Sequence, residues 1–125
     1  MTILSLEHSL EIYAYVIQHT GGGPGLRDLG RLESAIATQT QNVFGEELYP
    51  SLSDKAAALI RSIIADHPFV DGNKRTAMLS GLTFLGINDI SFDFIPGEIE
   101  DYAVMIASHS LNVTGISSWL NRHLT

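Results

Sequence analysis

A chain of 125 residues, 45% hydrophobic and 17% charged, has the size and composition of one globular domain, so residues 1–125 are expected to form a single domain with its own core. It contains no cysteine, which excludes a thiol nucleophile, a disulfide framework and a thiolate metal site. The net charge of −7 argues against a general nucleic-acid binder, and no run approaches the ~20 apolar residues that span a bilayer, so a soluble, cytoplasmic protein is expected.

Leu6, Leu10, Tyr13, Val16 and Ile17 recur at spacings of three and four, which predicts a first helix over Leu6 to His19 with Ser5 as N-cap. Glu7 and Glu11 within this run speak against a signal peptide. The glycines and proline of 21–25 end the helix in a loop. A second helix is expected over Gly30 to Thr38, with Leu29, Leu32 and Ile36 on one side, and residues 39–50 read as irregular or as a short hairpin. A third helix starts near Ser53 and stops at about Asp66, because Pro68 pushes His67 out of the helical region. The fourth, Lys74 to Leu85, is apolar nearly all round, the pattern of a central buried helix. Pro96-Gly97-Glu98 opens a fifth, Thr114 to Leu124 forms a sixth, and Ile90 to Ile95 carries the only strand pattern. The expected fold is all-α, a bundle of about six helices.

The stretch His67-Pro68-Phe69-Val70-Asp71-Gly72-Asn73-Lys74-Arg75 concentrates polar functions between two apolar helices. The amides of Gly72, Asn73 and Lys74 at a helix N-terminus make an anion site, strengthened by the helix dipole. Arg75 adds a forked, permanent cation for phosphate oxygens. Asp71 either caps the helix or serves as a hard oxygen ligand of the kind Mg²⁺ uses beside substrate phosphates. The His67 imidazole can take a proton from a hydroxyl. Together these residues read as a phosphate-transfer site.

The run HPFVDGNKR also resembles the core motif of the Fic/Doc superfamily, HPFx(D/E)GN(G/K)R. GLRDLGRLESA at Gly25 to Ala35, FGEELYP and SDKAAALI are similar to its death-on-curing, Doc-like branch, so the likeness covers most of the chain. The resemblance implies a small all-α toxin of a bacterial toxin–antitoxin pair, with a central helix carrying the motif at its N-terminus. It further implies His67 as catalytic base, Asp71 as Mg²⁺ ligand, and Gly72, Asn73, Lys74 and Arg75 as the ATP phosphate site, with Phe69 anchoring the loop. The implied partner is an antitoxin whose C-terminal segment folds onto a groove, near Leu48-Tyr49 or the N-terminal helix.

Members that transfer AMP have glycine at the place of Lys74 and a second arginine at the place of Met78. The Lys74 form resembles Doc-like kinases, which implies transfer of the γ-phosphate of ATP to a threonine of elongation factor Tu, arresting translation. AMP transfer and a catalytically weak binding module are the alternatives. Outside the motif, Arg27 and Asp28 are expected as an ion pair fixing the loop after the glycines. Asp66 is read as a surface residue, Trp119 as core, and His8, His19, His109 and His123 as structural or surface.

Overall fold

Four helices begin where a short polar side chain takes over an orphan amide, the usual device for starting a helix. Ser5 accepts from His8 to open α1 (Leu6–Thr20), and Asp28 accepts from Arg31 to open α2 (Leu29–Ala37). Ser51 accepts from Asp54 at the head of α3 (Leu52–Asp66), and Asn112 accepts from Gly115 at that of α6 (Val113–Asn121). The other two, α4 (Asn73–Ile87) and α5 (Glu98–His109), start at Gly72 and Gly97, both left-handed and without a side-chain cap. The computed structural model describes residues 1–125, and its architecture is the expected all-α bundle of six helices. No helix is long and apolar enough to cross a membrane.

α4 is central, with α3, α1 and α5 packed around it. Buried residues occupy every side of it, among them Ala77, Met78, Leu82, Phe84 and Leu85, in keeping with its all-round apolar sequence. Opposite them lie Leu59, Ile60 and Ile63 of α3, and Ile116, Trp119 and Leu120 of α6 close the core. The α3–α4 approach depends on Gly81: a Cβ there would sit 2.5 Å from Ile60 and 3.3 Å from the Ala56 carbonyl oxygen. The predicted stripe on α2 is only partly realised. Leu32 is buried and Ile36 half-buried, but Leu29, in the first turn, stays exposed.

Residues 39–50 hold the hairpin alternative. After a 3₁₀ turn at Thr38–Thr40, β1 (Asn42–Val43) pairs antiparallel with β2 (Glu46–Glu47) across Phe44-Gly45, both at positive φ, as a tight two-residue hairpin requires. Its base is tied to α3 by Lys55, whose buried ammonium lies 3.1 Å from Glu47.

At the C-terminus two expectations are corrected. Ile90 to Ile95 forms no strand beyond one bridge, Phe92 to Leu124, because its only partner is the last few residues of the chain. For the same reason α6 stops at Asn121 instead of reaching Leu124. The turn back places His123 between Trp119 and Phe94, its Nδ1 2.7 Å from the Trp119 carbonyl and its Nε2 2.9 Å from the Glu98 carboxylate. The Trp119 carbonyl and the ionised Glu98 carboxylate only accept, so the protonated ring can donate to both at once. This pair pins the first turn of α5, and α5 forms one wall of the cleft described next.

Candidate functional site

His67 is the C-cap of α3 and stands in the left-handed region at φ 49, ψ 61. The proline rule correctly removes it from the helix, but the outcome is αL, not the extended form that usually precedes proline. A non-glycine residue there costs of order 1–3 kcal/mol, which the surroundings must offset. They do so through the carbonyls. Arg27 Nε donates to His67 O at 2.8 Å and its terminal nitrogen donates to Asp66 O at 3.1 Å, while Arg31 donates to Asp66 O at 2.7 Å. The backbone amides of Arg27 and Asp28 both donate to Pro68 O. α3 has no basic residue in its own last turn, so its negative end borrows two guanidiniums from another segment. The His67 ring is in none of the ion pairs or histidine-ring hydrogen bonds and lines the cleft.

The expected Arg27–Asp28 ion pair does not form. Asp28 caps α2, which turns its carboxylate along the helix to Arg31 Nε at 3.3 Å, and Arg27 reaches the opposite way.

Beyond Pro68, Phe69 is 1% exposed and stacks on Tyr13 of α1. Leu26 bridges to Phe69, and the Asn73 side chain closes on Phe69 by accepting from its amide and donating to its carbonyl. The Asn73 side chain is therefore spent on the loop, and only its backbone amide is open to a ligand. Asp71 is exposed; one of its oxygens accepts from Gly72 N at 2.8 Å and the other, more loosely, from Gly23 N at 3.4 Å. It does not cap α4, a role that falls to Gly72. A Cβ at Gly22 would lie 2.7 Å from the Asp71 carboxylate, so the glycine loop leaves room for that side chain.

With Gly72 as cap, the amides of Asn73, Lys74 and Arg75 have no protein acceptor, while the Gly72 amide is taken by Asp71. Lys74 and Arg75 are exposed and belong to none of the ion pairs of this acidic chain. They open into a cleft of about 770 Å³ between α1, α4 and α5, with Met78 and Leu79 on α4, Tyr15 and Val16 on α1, and Ile99 and Ala103 on α5. His67, Asp71, Gly72 and Asn73 line the same cleft, so every residue expected to be catalytic or to bind phosphate is brought to one place, while Phe69 is buried in the fold. Free amides, two unpaired cations and a free imidazole make a site for an anion next to a proton acceptor.

The model of the Fic/DOC family matches residues 3–85, which is most of the chain and includes the whole of the His67 to Arg75 motif. The chain belongs to the Fic/DOC family. It is 40% identical over 102 residues to Toxin Doc of Mycolicibacterium smegmatis (strain ATCC 700084 / mc(2)155), covering 80% of this chain and 78% of that protein. It is also 32% identical over 122 residues to Protein kinase doc of Escherichia phage P1, covering 98% and 95% of the two chains.

Two carboxylates line the cleft, Asp71 on the motif loop and Glu100 on α5, and Asp71 is the one next to the free amides of α4. No three His, Cys, Asp or Glu side chains converge anywhere, but Asp71 is exposed and each of its oxygens retains acceptor capacity. That donor set fits Mg²⁺, which is commonly held by one or two carboxylates with substrate phosphates and water completing its shell. Met78, where AMP-transferring members carry arginine, is 1% exposed and belongs to the core cluster. Among the other histidines, His19 packs at a tilt against Tyr15 at the cleft rim, and His123 ties the C-terminus to Glu98.

Sequence reasoning missed Tyr13, Arg27 and Arg31 as supports of the loop. Arg27 and Arg31 stand four apart around a helix start, the spacing that puts two side chains on one side, and that was the available signal.

Proposed function

We propose that this protein is a toxin-type protein kinase that transfers the γ-phosphate of ATP to a threonine hydroxyl of a translation factor, elongation factor Tu, in the cytoplasm. The observation that carries the reading is the uncapped N-terminus of α4, where three free amides and the unpaired Lys74 and Arg75 share one cleft with the free ring of His67. The phage relative is named a protein kinase, which supports the same direction.

In this mechanism the amides of Asn73, Lys74 and Arg75 hold the ATP phosphates, and Arg75 grips their oxygens with its fork. A neutral ring nitrogen of His67 accepts the proton of the threonine hydroxyl as that oxygen bonds to the γ-phosphorus, and the bond to the bridging oxygen breaks to release ADP. Asp71 would hold Mg²⁺, which would supply positive charge to offset that of the phosphate oxygens. The rest is positioning, which phosphoryl transfer chiefly requires. Lys74 stands where AMP transfer would need glycine, which supports the kinase over the nucleotidyl reading. We also assign the protein a cognate antitoxin whose C-terminal segment docks beside α1, where Tyr15 is 55% exposed at the cleft rim.

The test is mass spectrometry of purified elongation factor Tu, and of whole lysate, after incubation with this protein, ATP and Mg²⁺. A gain of one phosphate, lost with His67→Ala, is the expected result, with a rate fall of roughly 10²–10⁴-fold in a folded variant. A gain of AMP replaces the kinase with a nucleotidyl transferase, and no modified protein at all leaves a binding module.

A further inference from the structure

The carbonyls of Asp66, His67 and Pro68 are three in succession, and Arg27 alone reaches all three, through its terminal nitrogen, its Nε and its backbone amide. Arg31 doubles the bond to Asp66 O, and Asp28 doubles the one to Pro68 O. Val70 N donates to Gly25 O, so the segment from Gly25 to Arg31 grips the motif loop along its length. Neither arginine lines the cleft. Their guanidiniums are committed to peptide oxygens on either side of the His67 ring and to Asp28.

We propose that Arg27, with Arg31, is a positioning residue for His67: the two guanidiniums hold the residue in its left-handed conformation and thereby aim its ring into the cleft. A planar guanidinium with donors in a fixed fork can serve two adjacent carbonyls at once, whereas an ammonium cannot do so with the same geometry. Without the clamp, the Asp66 and His67 carbonyls lose their donors, and a residue before proline returns toward the extended region. The ring then points elsewhere while the phosphate site, built on the far side of the loop by α4, is unchanged.

This inference rests on His67 acting as the base. The experiment uses the full chain carrying Arg27→Met, Arg27→Lys or Arg31→Met, with two readouts. The first is kcat and KM for ATP. The second is the ¹H–¹³C resonance of the His67 ring with amide exchange at Val70. Arg27→Met is expected to lower kcat roughly 10–100-fold with KM for ATP unchanged. The His67 resonance should shift or split, and Arg27→Lys should recover only part of the rate. Wild-type kcat with an unmoved His67 resonance overturns the proposal, as does a rate loss with that resonance unmoved. If Arg27→Met does not fold, Arg27→Lys and Arg31→Met carry the same two readouts. Should His67→Ala retain full transfer, the kinase mechanism fails, and the ring resonance still decides whether Arg27 sets the conformation of His67.

Discussion

The ring of Tyr13 lies flat on that of Phe69, with centroids 4.0 Å apart and planes within 3°. The Tyr13 hydroxyl also bonds to both the amide and the carbonyl of Gly25. One side chain of α1 therefore carries both strands of the bridge that supports the motif loop. Tyr13→Phe keeps the stack and loses only the hydroxyl, so we expect a loss of about 1 kcal/mol in urea unfolding. Tyr13→Ala removes both, and a loss of about 3 kcal/mol is expected.

Gly22 is not in the motif, yet a methyl group there would collide with the Asp71 carboxylate. Gly22→Ala should leave thermal stability nearly unchanged while raising the Mg²⁺ concentration needed for half-maximal transfer by roughly 10–100-fold, the usual effect of disturbing a metal ligand's surroundings. An unchanged Mg²⁺ requirement would remove Asp71 from the metal site.

Arg75 has no partner in the protein, so its removal costs the fold nothing and the ligand a charged hydrogen-bond donor. Arg75→Ala should raise KM for ATP by roughly 10–100-fold, equivalent to the loss of a charge-assisted bond. Steady-state kinetics at several ATP concentrations reads this directly.

The Glu98–His123 pair gives stability a pH dependence. The Trp119 carbonyl, then the Glu98 carboxylate, raise the His123 pKa above its ordinary 6.5, and the bond from His123 holds Glu98 below its ordinary 4.5. For His123 the stabilisation is complete below 6.5 and fades as pH rises through its elevated value. For Glu98 it is complete above 4.5 and fades as pH falls through its depressed value. The pair thus contributes most between pH 4.5 and 6.5. Melting temperatures measured across pH should fall above this window in the wild type, and His123→Gln should flatten that limb.

Two glycines of α4 are expected to respond in opposite directions to alanine. At Gly81 the new methyl group meets the wholly buried Ile60, and overpacking should cost about 1–3 kcal/mol, more than the helix propensity gained. At Gly86 nothing lies within 4 Å, so the propensity acts alone and alanine should stabilise by about 0.5–1 kcal/mol. Chemical denaturation of both variants settles the signs.

The parts of this protein legible in its sequence are those written locally. Ser5 marks the start of α1, and the apolar circumference of α4 identifies the central helix. The cluster from His67 to Arg75 lies within nine residues, so its convergence required no knowledge of the fold. What escaped reading depends on partners far along the chain. Asp28 could be paired with its neighbour Arg27 on paper, but α2 claims its carboxylate as a cap, and Arg27 finds its acceptors 39 and 40 residues away. The αL conformation of His67 was equally hidden, since proline forbids one conformation without choosing its replacement.

The grip of residues 25–31 on the motif loop also bears on when the site comes into being. Closing a flexible loop of some forty residues costs chain entropy of ~3 kcal/mol beyond a constant term, recovered only once α2 and α3 have docked. A nascent chain thus holds no aimed histidine until synthesis has passed the motif and the two segments have met. A fragment beginning after Arg31 would contain all of HPFVDGNKR and still lack the element that shapes it. The motif is a local word whose pronunciation is set elsewhere in the chain.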